Sequence, residues 1–121
     1  MATILLVDDD KLVLAVTQEL LEFLKHKVFA ANNGQTALDI LKKYSQIIDI
    51  VLLDLSLPDM NGADMIPIIM NQAPKCKIVV CTGGDFKEDD TDTFSQRGIA
   101  AILLKPFEFD ELKSTLNRLL A

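Results

Sequence analysis

A chain of 121 residues is the size of one domain, and with half its residues hydrophobic and a quarter charged it has a globular balance, which excludes disordered, collagenous and coiled-coil classes. The 18 acidic against 12 basic residues give a net charge of -6, and no basic cluster is longer than Lys42-Lys43. The phosphate-neutralising face that nucleic-acid binding needs is therefore missing, and direct nucleic-acid contact is not expected.

The first apolar run, Ile4 to Val7, is followed at once by Asp8, Asp9 and Asp10. It is too short for a secretory leader, and no run approaches the roughly 18 residues that cross a bilayer. A cytoplasmic protein without membrane contact is expected. Further along, short continuous hydrophobic runs alternate with longer segments whose apolar residues fall three and four apart, the pattern of strands covered on both faces and of amphipathic helices. The strands are expected at Thr3 to Val7, Lys27 to Ala31, Ile50 to Leu53, Lys77 to Cys81 and Ala100 to Leu104.

Asp10 can cap the first helix, whose apolar stripe reads as Leu12, Val16, Leu20 and Phe23. His26 falls near its end and is assigned a solvent-exposed or helix-end role. Asn32 or Asn33 can cap the second helix and Asn61 the third, in which Pro67 is expected to cause a kink or an early stop. The fourth helical segment is weak. Glu88, Asp89, Asp90 and Asp92 crowd like charges together, and only Phe86, Phe94 and Ile99 offer apolar anchors. Pro106 suits the first turn of a fifth helix carrying Leu112, Leu116, Leu119 and Leu120. Cys76 and Cys81 fall in one strand, roughly 16 Å apart and on opposite faces, which excludes a disulfide between them.

Five strands alternating with five helices specify an α/β fold: a flavodoxin-like, doubly wound five-stranded parallel sheet of order 2-1-3-4-5, expected as one domain over residues 1–121. Such sheets bind ligands beyond the carboxyl ends of the strands, at the switch point between the first and third. The residues at or just after those ends are Asp8 and Asp9, Asp54, Thr82 and Lys105. Three carboxylates in one cleft repel each other and raise a pKa unless a cation neutralises them. The available ligands are hard oxygens and the single histidine, His26, lies elsewhere, so Mg²⁺ fits better than zinc or copper. Lys105 ends an apolar strand and needs a charge partner, for which Asp54 is the natural choice. Thr82 precedes Gly83 and Gly84, which allow close backbone approach to a ligand.

The segments Ile4-Leu5-Leu6-Val7-Asp8-Asp9-Asp10, Val51-Leu52-Leu53-Asp54-Leu55-Ser56-Leu57-Pro58-Asp59-Met60-Asn61-Gly62, Val79-Val80-Cys81-Thr82-Gly83 and Leu104-Lys105-Pro106-Phe107 together resemble a response regulator receiver domain of two-component signalling, of the chemotaxis-regulator-like kind. The resemblance covers essentially the whole chain. It implies that Asp54 accepts a phosphoryl group from a phosphohistidine of a sensor histidine kinase or phosphotransfer protein. It also implies that Asp8, Asp9 and Asp54 hold Mg²⁺ with the main-chain carbonyl of Ser56, and that Thr82 and Lys105 contact the phosphoryl oxygens. A cis Lys105-Pro106 bond, slow autodephosphorylation, and a protein target or a further effector domain as the output are implied in the same way. The domain would then be a signalling switch rather than an enzyme acting on a separate substrate. Ile102 departs from the pattern, since many receivers carry Tyr or Phe there, which puts an aromatic-rotamer switch in doubt. The face of the fourth and fifth helices is the expected partner site by the same resemblance.

Three other readings compete. Flavin mononucleotide binding needs a hydroxyl- and Gly-rich loop where this chain has three acids. A haloacid dehalogenase-type phosphatase would use Asp8 and Asp10 as an Asp-x-Asp pair, but leaves Asp54 without a duty. A receiver reduced to a binding module is argued against by the complete set of Asp8, Asp9, Asp54, Thr82 and Lys105.

Overall fold

The computed structural model describes residues 2–83 and 98–121. In chain order the elements are β1 (Thr3–Val7), α1 (Lys11–Phe23), β2 (Lys27–Ala31), α2 (Gly34–Tyr44), β3 (Ile50–Asp54), α3 (Gly62–Gln72), β4 (Lys77–Thr82), β5 (Ala101–Leu104) and α4 (Phe109–Leu120). The five strands form one parallel sheet of order β2-β1-β3-β4-β5. Four helices are present among the described residues. The weak helix expected in the acidic stretch lies in residues 84–97, outside them.

The sheet is hydrophobic on both sides because strand side chains alternate between faces. On one face Leu5, Val7, Val51, Leu53, Ile78 and Val80 pack against Ala37 and Leu41 of α2 and Met65, Ile66 and Ile69 of α3. On the other, Ile4, Leu6, Ile50, Leu52, Val79 and Cys81 meet Leu21 of α1 and Leu112 and Leu116 of α4. Every residue of the central strand β3 is buried. Each such aliphatic side chain contributes roughly 1.5–3 kcal/mol relative to its exposed state, so the strand ends at the centre of the sheet are fixed points on which a site can be built.

Local signals set the helix starts. Asp10 accepts from the amides of Leu12 and Val13 at 3.0 and 3.2 Å. Asn33, rather than Asn32, caps α2 by accepting from Thr36 at 2.8 Å, and Asn61 caps α3 through Ala63 at 2.9 Å. α3 runs through Pro67 to Gln72, with the proline on its exposed side, so the helix does not stop there. Pro106 lies before α4 and not in its first turn. Glu108 takes the N-cap position, its amide donating to Glu111 Oε1 at 3.4 Å, and this pair starts the helix later.

α1 presents a different face to the core from the one its spacing suggested. Leu12 is 73% exposed, Val16 49% and Phe23 74%, while Thr17 and Leu21 are buried. The helix carries two apolar stripes, and Leu14 and Leu21 from the one that contains Thr17 pack on the core, joined by Leu20 from the expected stripe. Cys76 precedes β4 and Cys81 lies within it, packed on opposite faces of the sheet, and neither forms a disulfide.

Candidate functional site

The parallel sheet brings four strand ends to one edge. Asp8 follows β1 directly, Asp54 is the last residue of β3, Thr82 the last of β4, and Lys105 the first after β5. Because β1 and β3 are neighbours paired Val7 to Leu53, the two carboxylates face each other across the switch point. Asp8 and Asp54 are buried and Asp9 is exposed at the rim. One carboxylate oxygen from each of these three acids lies within 4.8 Å of the others.

Each buried carboxylate is oriented in the same way. Asp8 Oδ1 accepts from the amide of Asp10 at 2.9 Å, and Asp54 Oδ1 accepts from the amide of Ser56 at 3.0 Å, both two residues further along the chain as in an Asx-turn. That leaves the Oδ2 atoms turned towards Lys105, whose ammonium donates to Asp8 at 2.6 Å and to Asp54 at 3.1 Å. The sequence had named Asp54 as its partner, and the structure adds Asp8 as the nearer one. Lys105 is held in place by its own amide, which donates to the Thr82 carbonyl at 2.7 Å, and the Lys105-Pro106 bond is cis.

Burial pushes the Asp54 carboxyl above the usual carboxylate range. The Ser56 amide and Lys105 oppose that rise without cancelling it, and the charge of Asp8 adds to it. For Lys105 burial alone would favour the neutral amine, but its hydrogen bond to Asp8 and the charges of Asp54 and Asp8 outweigh it and hold the ammonium above its ordinary range. Behind the pocket, Cys81 is opposite Asp54 in the sheet register, and burial pushes its thiol up to about 12, so it is no nucleophile. One ammonium against three carboxylates leaves the pocket net negative, and the atoms that these three acids offer a cation are hard oxygens. The residues therefore fit a small divalent cation.

Ser56 follows β3 on an exposed loop closed by an antiparallel bridge from Ser56 to Asn61 and by the Gly62 amide donating to the Leu55 carbonyl at 3.0 Å. This closure depends on Gly62, where an added Cβ would lie 2.6 Å from Leu55 Cα and 2.7 Å from the Asp54 carbonyl oxygen. Sequence reasoning did not single out Gly62, nor Asp59, whose contacts span 24 and 25 residues and leave no local signature. Gly83 is exposed with open space where a Cβ would stand, and Gly84 lies outside the described residues. Ile102 is partly buried against the α2–α3 face. His26 lies just beyond α1, where its Nδ1 accepts from the Ala2 amide at 3.2 Å, far along the fold from the acidic pocket.

Beside the pocket, Leu12, Val13, Val16 and Leu20 of α1 and Pro106 and Phe107 after β5 line an apolar groove of about 480 Å³ that reaches Lys105. No helix among the described residues is long and apolar enough to cross a membrane.

Fold and site edge together define a flavodoxin-like α/β domain with an acidic pocket at its switch point. The family described as response regulator receiver domain matches residues 4–117, and the chain belongs to that family. Among solved structures, a response regulator receiver domain protein from Clostridium thermocellum superposes with a TM-score of 0.90 at 27% identity, covering 99% of this chain and 94% of that one. The non-phosphorylated HemR receiver domain of Leptospira biflexa gives 0.88 at 29% identity over 100% and 95%. Among curated proteins, the transcription factor SKN7 of Chaetomium thermophilum is 30% identical over 98% of this chain, and the two-component response regulator ARR10 of Arabidopsis thaliana 31% identical over 92%. The chain spans only 15% and 20% of the length of those two relatives.

Proposed function

We propose that residues 1–121 act as a single receiver domain that serves as the phosphoacceptor switch of a two-component or phosphorelay system, with Asp54 as the acceptor. The supporting observation is the Lys105 ammonium, which reaches the Oδ2 atoms of both Asp8 and Asp54 at the switch point. A carboxylate is a competent phosphoryl acceptor when the phosphoryl oxygens meet positive charge and hydrogen-bond donors in the transition state.

In the reaction proposed, an Asp54 carboxylate oxygen forms a P–O bond as the P–N bond of the donor phosphohistidine breaks. The electron pair stays with the imidazole, which takes up a proton from water. Mg²⁺, held by Asp8, Asp9, Asp54 and the Ser56 carbonyl, supplies charge neutralisation at the phosphoryl oxygens when bound. Lys105 adds a second cation, moving from its contact with Asp54 to the incoming phosphoryl group while Asp8 holds it in place. The Thr82 hydroxyl donates to another phosphoryl oxygen. That bond exists only in the phosphorylated form, so it favours the conformation that makes it. In autodephosphorylation water attacks the phosphorus, and the Asp54 carboxylate leaves with the bonding pair.

The donor is a sensor histidine kinase or a phosphotransfer protein, and the apolar groove beside Lys105 is where it can be held while Asp54 reacts. The output is binding to a protein target or to an effector domain, and the setting is cytoplasmic. The domain turns over no separate substrate. The relatives named as transcription factors are several times longer than this chain, so contact with nucleic acid in such proteins can belong to their other segments. The phosphatase alternative loses support because Asp10, its second acid, is engaged in capping α1.

Intact mass after incubation with acetyl phosphate and Mg²⁺ tests this reading. A gain of about 80 Da that requires both Mg²⁺ and Asp54 is the expected result. An adduct that survives Asp54→Ala but is lost with Asp8→Ala would favour the phosphatase, and no adduct would favour the binding module.

A further inference from the structure

The loop between β3 and α3 is tied to a distant element by a contact that the phosphoacceptor chemistry does not use. Asp59, at the exposed tip of this loop, accepts from two successive amides at the start of α2: Gly34 to Oδ1 at 2.8 Å and Gln35 to Oδ2 at 2.9 Å. These two bonds hold its carboxyl below the usual range. The helix does not need Asp59 for its own cap, because Asn33 already accepts from Thr36. The next loop residue reinforces the link. Met60 packs so closely on Gly34 that an added Cβ there would lie 2.4 Å from its Cγ.

The other end of this loop is the pocket. Ser56 donates its amide to Asp54, and the bridge to Asn61 makes residues 56–61 one closed unit. A closed loop fixed at its base and again at its tip cannot rock without breaking one of those attachments. A carbonyl on such a loop is presented to a cation with little freedom left to lose, and outer contacts of this kind govern metal affinity.

We propose that Asp59 is a positioning residue for the cation site: by pinning the loop tip to the Gly34–Gln35 end of α2 it fixes the Ser56 carbonyl beside Asp8, Asp9 and Asp54. The inference rests on the reading of that pocket as a Mg²⁺ site. It makes α2 a reporter of the pocket, since a cation that tightens the loop also tightens the two amide bonds.

The test uses the whole chain and Mg²⁺ alone, without any phosphodonor. Calorimetry gives the dissociation constant, and ¹H–¹⁵N spectra follow the Gly34 and Gln35 amides. In the wild type these two amides shift with the same midpoint as the pocket residues. Asp59→Ala weakens Mg²⁺ affinity about tenfold and abolishes that shift, and Asp59→Asn, which keeps one acceptor oxygen, gives an intermediate loss of about threefold. Asn33→Ala loosens the same helix end without touching the loop, and its affinity stays within about twofold of wild type. Unchanged affinity in both Asp59 variants, or an equal loss in Asn33→Ala, overturns the proposal while leaving the metal site intact. Absence of Mg²⁺ binding by the wild type overturns the pocket reading itself and this inference with it. Melting curves of each variant show that the comparison is between folded proteins.

Discussion

Lys105 sits closer to Asp8 than to Asp54, at 2.6 Å against 3.1 Å. Asp54 is thus the less well compensated of the two buried acids. Its proton is bound more tightly in the fold than in the unfolded chain, where the ordinary value is 3.8. For a carboxyl with a raised folded value, stability falls as pH rises from below 3.8 through that value, and above both the ionised group is a net cost. Asp54→Asn keeps an oxygen for the Ser56 amide and removes the charge. Without metal at pH 7 it is expected to be more stable than wild type by about 1 kcal/mol, or several degrees in Tm. The gap should close below pH 3.8. Thermal unfolding of both proteins across that range checks this, and an asparagine variant that melts lower at neutral pH would refute it.

Removing the cation has the opposite sign. Lys105→Met leaves Asp8 and Asp54 facing each other with no positive partner, and breaking a buried charge cluster from one side is costly. The pocket is open enough that Lys105 keeps 24% of its side-chain exposure, which brings the loss below the roughly 3–5 kcal/mol of a fully buried pair, to about 2 kcal/mol. Adduct formation from acetyl phosphate should slow about a hundredfold, the usual effect of losing one preorganised group at a developing charge. Denaturant melts and a time course by mass spectrometry separate the two effects.

Mg²⁺ should stabilise the fold by mass action, by roughly 2.7 kcal/mol at a concentration a hundred times its dissociation constant. Asp9 provides a clean control because it is exposed at the rim. Asp9→Ala is expected to melt within about 0.5 kcal/mol of wild type in a chelator and to lose most of the Mg²⁺-dependent rise. An Asp9 variant that keeps the full rise would remove that residue from the ligand set.

The strands and the site edge could be read from sequence for one physical reason. A strand buried on both faces must be continuously apolar, so the first polar residue marks where it leaves the sheet, and Asp8 and Lys105 are such residues. Asp54 and Thr82 are exceptions of one position, closing β3 and β4 rather than following them. What sequence did not supply is long-range or two-valued. The Asp59 link to Gly34 and Gln35 joins loops far apart in the chain, and the close approach of Gly62 to Leu55 depends on backbone geometry alone. The start of α4 shifted because the Glu108–Glu111 pair outcompeted a plausible proline start.

Gly62 carries a prediction of its own. A methyl group there meets Leu55 Cα and the Asp54 carbonyl, both backbone, so no side chain can swing aside to make room. Gly62→Ala is expected to cost about 2–3 kcal/mol, as overpacking does elsewhere, and to slow phosphorylation of Asp54 by displacing the segment on which it sits. Chemical denaturation and the acetyl phosphate assay read the two consequences. A variant as stable and as reactive as wild type would show that the β3–α3 loop is softer than its hydrogen bonds imply.

The two stripes of α1 make the last comparison. Leu21 is fully buried between the sheet and α4, so Leu21→Ala removes packed atoms and should cost about 2–5 kcal/mol. Leu12 and Val16 are largely exposed along the groove that reaches Lys105, so Leu12→Ser and Val16→Ser should change stability by less than about 0.5 kcal/mol. Periodicity alone cannot rank these positions, because both stripes repeat at helical spacing. If the exposed stripe holds the phosphodonor protein, the serine variants will accept phosphate from acetyl phosphate at the wild-type rate and from a cognate phosphohistidine protein about tenfold more slowly, as loss of an apolar anchor at an interface predicts. Equal slowing with both donors would place the effect in the pocket, and no slowing with either would move the docking surface elsewhere on the molecule.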